Sequence, residues 1–241
     1  MGEALGLSPS LPVRAWKAWQ RRGSRYLVHK TLRRSLGRWP AWKRRLVYAD
    51  PQSYWTLRGG EEYFREQEDQ PARTERSNWL AQRVASYQPT SILEIGCGYG
   101  KQLRAIRSLI DVPMVGLDFS PSQLNLALTF LEVLDQLDLI LASGLELPFP
   151  DKSFDLVLTS AVILHNPPAD AERIRKEVVR VARRWAAHNE DTDVSYNRYG
   201  YDTAGWDREA GIPLAEAGPI RIAPEPLGSQ FCVAEVTHWR R

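Results

Sequence analysis

Ser91-Ile92-Leu93-Glu94-Ile95-Gly96-Cys97-Gly98-Tyr99-Gly100 decides the fold. Its first five residues are a short apolar, partly β-branched run, the pattern of a buried strand. The run breaks into three alternating glycines, and apolar residues then recur at helical spacing at Leu103, Ile106, Leu109 and Ile110. A second run, Val112 to Leu117, ends on Asp118. Strand, glycine turn, helix, strand and terminal acid make one βαβ half of a nucleoside-binding sheet. The glycines admit a ligand where a Cβ would collide. Asp118 follows the first glycine by about 20 residues, where a carboxylate accepts bonds from both ribose hydroxyls.

The glycine spacing narrows the choice of nucleoside. A dinucleotide fingerprint needs a third glycine where this chain has Lys101, and a phosphate-cradling loop needs glycine at Ile95 and Ser or Thr at Gln102. Glu94, just before the turn, repels a pyrophosphate and suits a ligand that carries an ammonium group. These features point to S-adenosyl-L-methionine, a nucleoside with an amino-acid tail and no phosphate.

Three stretches carry a family resemblance. Leu93 to Gly100 resembles the first motif of class I S-adenosylmethionine-dependent methyltransferases, and Val115-Gly116-Leu117-Asp118-Phe119-Ser120-Pro121-Ser122-Gln123-Leu124 resembles their second. Leu147-Pro148-Phe149-Pro150-Asp151-Lys152-Ser153-Phe154-Asp155-Leu156-Val157 resembles the approach to their fourth strand. The resemblance implies a Rossmann-like α/β fold: a seven-stranded sheet, mostly parallel with an antiparallel C-terminal hairpin, and helices on both faces. It also implies site roles. Gly96, Gly98 and Gly100 shape the turn, with Cys97 as the small residue packed inside it, and Glu94 orients the turn or the ammonium. Asp118 takes the ribose, Phe119 lies against adenine, and Ser143, Gly144 and Leu145 surround the adenine edge. Ser160, ending the fourth strand, faces the cofactor.

The chain departs from the family pattern in two places. Ser143 stands where an acid is common, and no Pro-Gly-Gly turn separates the helix expected over Glu172 to Arg184 from a fifth strand around Trp185 to Glu190. Asn166-Pro167-Pro168 invites comparison with the Asn-Pro-Pro-Tyr motif of DNA amino-methyltransferases, but the register is wrong. Counted from Phe154-Asp155, that asparagine would fall at Ser160, and Ala169 takes the aromatic position.

The net charge of +3 conceals an asymmetry. Residues 1 to 48 hold about 12 Lys and Arg against Glu3 alone, roughly +11, which leaves roughly −8 for the remainder. After a small, Gly-rich stretch over residues 1 to 10, Pro12 suits a first helical turn. Gly23-Ser24 interrupts that helix, and a second runs from Tyr26 to Leu36, stopping near Gly37. Trp16, Trp19, Trp39 and Trp42 interleave with the cations. Three readings stand open for this arm: a helical cap packed by its tryptophans, a helix at an anionic membrane surface, or a nucleic-acid arm whose aromatics stack on bases. The expected division is a basic extension over 1–48, a lid or linker with the first helix over 49–90, and the cofactor domain over 91–241.

Residues 49 to 75 read as polar and turn-rich, and Ser77 to Tyr87 as a helix; the resemblance implies a lid over the cofactor here, in which Tyr54, Trp55, Arg58 and Tyr63 either line a substrate mouth or pack on the surface. Leu124, Leu128 and Leu131 mark the apolar face of a helix that starts at Ser120-Pro121. Two cysteines, Cys97 and Cys232, give neither a disulfide framework nor metal-ligand spacing. With no apolar secretory segment at the start, the expected place is the cytoplasm, or the inner membrane surface if the arm binds lipid.

Methyl transfer mainly requires holding an acceptor atom behind the methyl group. A base helps when the acceptor is a hydroxyl, and His165 lies on the loop where one would act. His188 is a weaker candidate, and Tyr196, Tyr199 and Tyr201 crowd a polar segment that could face the acceptor. The expected activity is methylation of a small molecule or glycan unit on oxygen, with no metal. A nucleic-acid methyltransferase and a non-catalytic cofactor-binding partner are the alternatives.

Overall fold

The computed structural model describes residues 11–35, 39–132, 135–222 and 228–239, with side chains from Gly23 onward. The expectations for residues 1–10, for Gly37 and for the side chains of Trp16 and Trp19 lie outside the described residues. The chain divides into two compact units, Met1–Asp50 and Pro51–Arg241.

The first unit holds α1 (Leu11–Ser35) and α2 (Pro40–Val47). Gly23 has φ 74° and ψ 175°, so α1 is two helices joined at a kink. Tyr26, Val47 and Tyr48 are buried there.

The second unit begins with α3 (Pro51–Arg58), α4 (Glu61–Glu68) and α5 (Pro71–Ser86). The polar, turn-rich reading of this stretch is corrected. Pro51 and Pro71 open helices, because the first helical turn needs neither the N–H that proline lacks nor a φ other than its own. Accordingly α5 starts six residues before the expected Ser77 and buries Leu80, Ala81 and Val84.

Then come β1 (Ile92–Ile95), α6 (Lys101–Arg107), β2 (Met114–Asp118), α7 (Pro121–Phe130), β3 (Leu137–Leu141) and β4 (Phe154–Ser160). A short 3-10 turn over Ile163–His165 precedes α8 (Pro168–Val181) and β5 (Ala182–Asp191). The chain finishes with α9 (Thr203–Glu209), β6 (Leu214–Pro219) and β7 (Ser229–Glu235). The helix expected to reach Arg184 stops at Val181, because Ala182 already pairs with Phe154. Arg183 and Arg184 are strand residues.

The sheet order is β3-β2-β1-β4-β5-β7-β6. β1 to β5 run parallel, and β7 is antiparallel to both β5 and β6. This is the Rossmann-like, seven-stranded sheet with a C-terminal hairpin that the resemblance implies. One apolar layer gathers Leu80, Leu103, Ile106, Leu156 and Leu158, and the other Leu93, Ile95, Val157, Ile174 and Val178. Fully burying each such side chain contributes about 1.5–3 kcal/mol. Leu109 and Leu128, counted on buried helix faces from spacing, are 47% and 64% exposed. Leu109 lies past the end of α6, and α7 buries only the side that includes Leu124 and Ala127.

The chain order reverses between β1 and β4, which opens a crevice at the carboxyl ends of the strands. Ile95 pairs with both Leu117 and Thr159, so Gly96, Asp118 and Ser160 leave the sheet side by side. Asn189 pairs with Ser160 and extends that edge to β5.

Candidate functional site

A cavity of about 490 Å³ lies over this carboxyl edge, within the range of small-molecule sites. Its floor is the turn after β1. Gly96, Gly98 and Gly100 all have positive φ (68°, 57° and 87°), the left-handed region that favours glycine. A Cβ on Gly96 would lie 2.5 Å from Val162 Cγ2 and one on Gly100 2.6 Å from Leu131 Cδ1, whereas one on Gly98 would meet only Gln123 Nε2 at 3.6 Å. Gly96 and Gly100 therefore admit close packing of the protein itself, and Gly98 keeps the cavity floor bare.

Asp118 binds the turn to the end of β2. Its Oδ2 accepts from Gly98 N at 2.9 Å and its Oδ1 from Ser120 N at 2.8 Å. Burial raises its pKa, and the amides of Ser120, Gly98 and Phe119 pull it back. No basic side chain forms an ion pair with it among the described residues, so the carboxylate meets the cavity with lone pairs left over.

Glu94 is the second acid. It is 3% exposed, its Oε2 has no hydrogen-bond partner, and it lines the same cavity. Burial, then repulsion from Asp118, raises its pKa to about 8. Two carboxyls at one bare turn, one with an orphaned oxygen, suit a cationic ligand bearing a diol. That is the donor and charge pattern of S-adenosylmethionine.

The opposite wall is cationic. Arg73 and Arg76 on α5 line the cavity. Arg73 donates to the side-chain oxygens of Gln67 and Gln70. Arg76 donates to Ser229, Asn189 and Asp191 at 2.9, 3.2 and 3.2 Å, and Asp191 also pairs with Arg198 at 3.2 Å. α3 and α4 complete the enclosure. The Trp55 ring meets His165 edge-on at 4.7 Å and Tyr63 at 5.6 Å, Gly60 N donates to Gln123 Oε1 at 3.4 Å, and Glu68 holds Tyr99 and Lys101 at 2.7 and 2.8 Å.

His165 Nδ1 lies 2.6 Å from the Asn197 carbonyl oxygen. A carbonyl only accepts, so Nδ1 carries the proton and Nε2 the lone pair. Burial lowers the imidazole pKa to about 4, partly offset by that bond to Asn197. The ring is neutral near pH 7, an acceptor of hydrogen bonds rather than a store of protons.

The structure thus brings Glu94, Gly96, Cys97, Gly98, Asp118, Phe119, Ser160 and His165 to one cavity. Gly100, Ser143, Gly144 and Leu145 do not reach its wall. Gly100 precedes α6 under Leu131. Ser143 Oγ accepts from Leu145 N at 3.2 Å, and a Cβ on Gly144 would sit 2.9 Å from Ile95 Cγ2. Cys97 is buried with a raised thiol pKa, chiefly from burial.

His188 is withdrawn as a candidate. It is buried between strands with Nδ1 2.8 Å from Thr159 Oγ1, away from the cavity. Of the mouth residues, Trp55 and Tyr63 line the cavity, Tyr54 instead bonds Tyr196 at 2.9 Å, and Arg58 is buried against Glu66. Tyr199 and Tyr201 brace the loop after β4 through Leu164 O and Asn166 O.

Sequence reasoning missed Arg73, Arg76, Gln123, Asn189, Asp191 and Arg198. The signal at β5 was an acid-rich strand end, Asn189-Glu190-Asp191, in a position where the neighbouring strands also end on site residues. Among the described residues, no group of His, Cys, Asp and Glu is arranged to hold a metal ion, and no helix is long and apolar enough to cross a membrane.

Comparison with known proteins agrees with this geometry. Residues 93–185 match the family described as Methyltransferase domain. The chain is 29% identical over 109 residues to the sterol 24-C-methyltransferase of Aspergillus fumigatus, covering 44% of this chain and 28% of that protein. It is 37% identical over 93 residues to the demethylmenaquinone methyltransferase of Bacillus licheniformis, covering 38% and 39%. The chain spans about a third of the length of the curated relatives it matches. Magnesium protoporphyrin IX methyltransferase from Synechocystis PCC 6803, solved with bound SAM, shares the fold with a TM-score of 0.57 at 16% identity, covering 86% of this chain and 96% of that one. Residues 93–185 thus match the methyltransferase-domain family, and the sheet that holds them has the fold of a solved methyltransferase that binds S-adenosylmethionine.

Proposed function

We propose that this protein transfers a methyl group from S-adenosylmethionine to an oxygen of a small molecule or a glycan unit. The observation that carries the reading is the shared cavity of Asp118, the bare Gly98 turn and the orphaned Glu94 carboxyl. When bound, S-adenosylmethionine supplies a methyl group on a sulfonium, activated without an acid. Asp118 would accept from the ribose hydroxyls and Glu94 from the ammonium, while Arg73 or Arg76 offers donors to the methionine carboxylate. Trp55, Tyr63 and His165 would hold the acceptor and keep water out, so that the reacting atoms meet at near-attack distance. His165, its Nδ1 held by the Asn197 carbonyl and its ring against Trp55, would help to position the acceptor. The basic unit, residues 1–50, would attach the enzyme to an anionic lipid surface.

A labelled-methyl assay over small hydroxylated acceptors, glycans and RNA tests the reading. Label is expected in the hydroxylated acceptors, and reduced tenfold or more by Trp55→Ala. Label in RNA alone would move the acceptor to nucleic acid. Cofactor binding with no labelled acceptor would leave a cofactor-binding partner protein. Sedimentation with anionic vesicles, comparing the full chain with residues 51–241, tests the attachment.

A further inference from the structure

β4 ends at Ser160 and the chain turns at once through Ala161, whose φ of 54° lies in the left-handed region. Strained backbone of this kind persists only where its surroundings over-determine it. Here the surroundings centre on Glu190, on the neighbouring strand. Its carboxylate is fully buried and accepts from three successive amides: Val162 N at 3.2 and 3.1 Å, Ile163 N at 3.2 Å and Leu164 N at 3.2 Å. Successive N–H groups converging on one anion form a nest.

The rest of the loop is tied to β5 and the segment after it. Ala161 N donates to Asn189 O at 2.9 Å, Tyr199 N to Leu164 O at 2.7 Å, and Tyr201 Oη–H to Asn166 O at 2.8 Å. The Arg175 guanidinium, stacked over Tyr201 at 4.9 Å, lies within Coulombic range of Glu190. The loop's other face is the cavity: Ala161, Val162, His165 and Asn166 line it, and Glu190 does not.

A buried carboxylate is costly unless its bonds repay the loss of water. A glutamine would keep one oxygen as an acceptor and turn its NH2 group toward the amides that the other oxygen serves. Burial raises the Glu190 pKa to about 7 and the three amides pull it back, so the clasp is strongest when the carboxyl is ionised. We propose that Glu190 is a positioning residue, whose carboxylate, clasped by the amides of Val162, Ile163 and Leu164, holds the strained loop that presents His165 and Asn166 to the acceptor. What the loop presents to the acceptor rests on the methyltransferase reading; what holds the loop does not.

Glu190→Gln and the double variant Ala161→Gly/Glu190→Gln, made in the full chain, test this by amide hydrogen exchange and histidine 15N spectra. In E190Q the amides of 162–164 are expected to exchange at least tenfold faster, with Ile92–Ile95 and Met114–Asp118 unchanged. The His165 ring should lose its Nδ1–H tautomer signature. Relief of the positive φ in the double variant should restore part of the protection, and that variant carries the readout if E190Q alone does not fold. Unchanged exchange at 162–164, or an equal rise throughout β4 and β5, would overturn the proposal and leave Glu190 a packing residue. Binding of S-adenosylhomocysteine to the wild type is measured alongside. If it is absent, the methyltransferase reading falls while the exchange pattern still decides the role of Glu190.

Discussion

Binding of S-adenosylmethionine at pH 7 should expel close to one proton from Glu94. In the free protein this carboxyl is buried beside Asp118 with one oxygen unpartnered, and its pKa is raised to about 8. At pH 7 roughly nine tenths of it is protonated. An ammonium docked against it favours the ionised form. To ionise it nine-tenths at pH 7, the contact must lower the pKa by ~2 units, or ~2.7 kcal/mol. That is within the range of a hydrogen bond between charged groups. Calorimetry at pH 7 in phosphate and in Tris, whose ionisation enthalpies differ, reads the protons released from the difference in apparent enthalpy. About 0.8 proton is expected at pH 7 and about 0.1 at pH 9, where the free carboxyl is already ionised. Glu94→Gln subtracts whatever the cofactor's own amine exchanges, and should also weaken binding. A wild-type enthalpy that does not depend on buffer at pH 7, or a release that survives in E94Q, would refute the assignment of the ammonium to Glu94.

Gly96→Ala forces a side chain onto φ 68° and places its Cβ 2.5 Å from Val162 Cγ2. The variant should bind S-adenosylmethionine at least tenfold more weakly and lose about 1–2 kcal/mol of stability, read by calorimetry and urea unfolding. His188, buried with Nε2 unpartnered, has a pKa lowered to about 3, first by desolvation and then by Arg175. A depressed imidazole pKa contributes stability that is present above about pH 6.5 and is lost as pH falls toward 3. The wild type should therefore lose about 1.4 kcal/mol per pH unit below 6.5 relative to His188→Gln. Comparing the two proteins cancels the opposite trend from the raised carboxyls of Glu94, Glu190 and Asp207. Parallel stability curves from pH 6.5 to 4 would show that the imidazole does not titrate as its burial requires.

The strands around the glycine turn were legible because each is a short apolar run closed by a chemically distinctive residue: Glu94-Ile95 before Gly96, Leu117 before Asp118, Thr159 before Ser160. Periodicity and turn chemistry are local, and so are these elements. The helices over 51–68 were not legible. Pro51, Gly59-Gly60 and Pro71 look like punctuation, and their role as helix starts and as the break between α3 and α4 emerges only once Trp55 and Phe64 have the loop after β4 and the glycine turn to pack on. The cationic wall was hidden for a different reason. Arg76 acquires its meaning from Asn189, Asp191 and Ser229, which reach it through the sheet order β5-β7 and not through sequence spacing. Ser143 to Leu145 were placed by family pattern, yet local packing against Ile95 and a bond from Leu145 N to Ser143 Oγ keep them off the cavity wall.

The most direct test of the cofactor site is the affinity of S-adenosylmethionine for the wild type and for Asp118→Ala, measured by calorimetry at fixed pH and salt. Asp118 Oδ1 and Oδ2 each hold one backbone amide and retain capacity for a hydroxyl. Loss of the ribose bonds should cost about 2 kcal/mol, roughly a thirtyfold weaker Kd. Equal affinity in the two proteins, or no binding to the wild type, would contradict it.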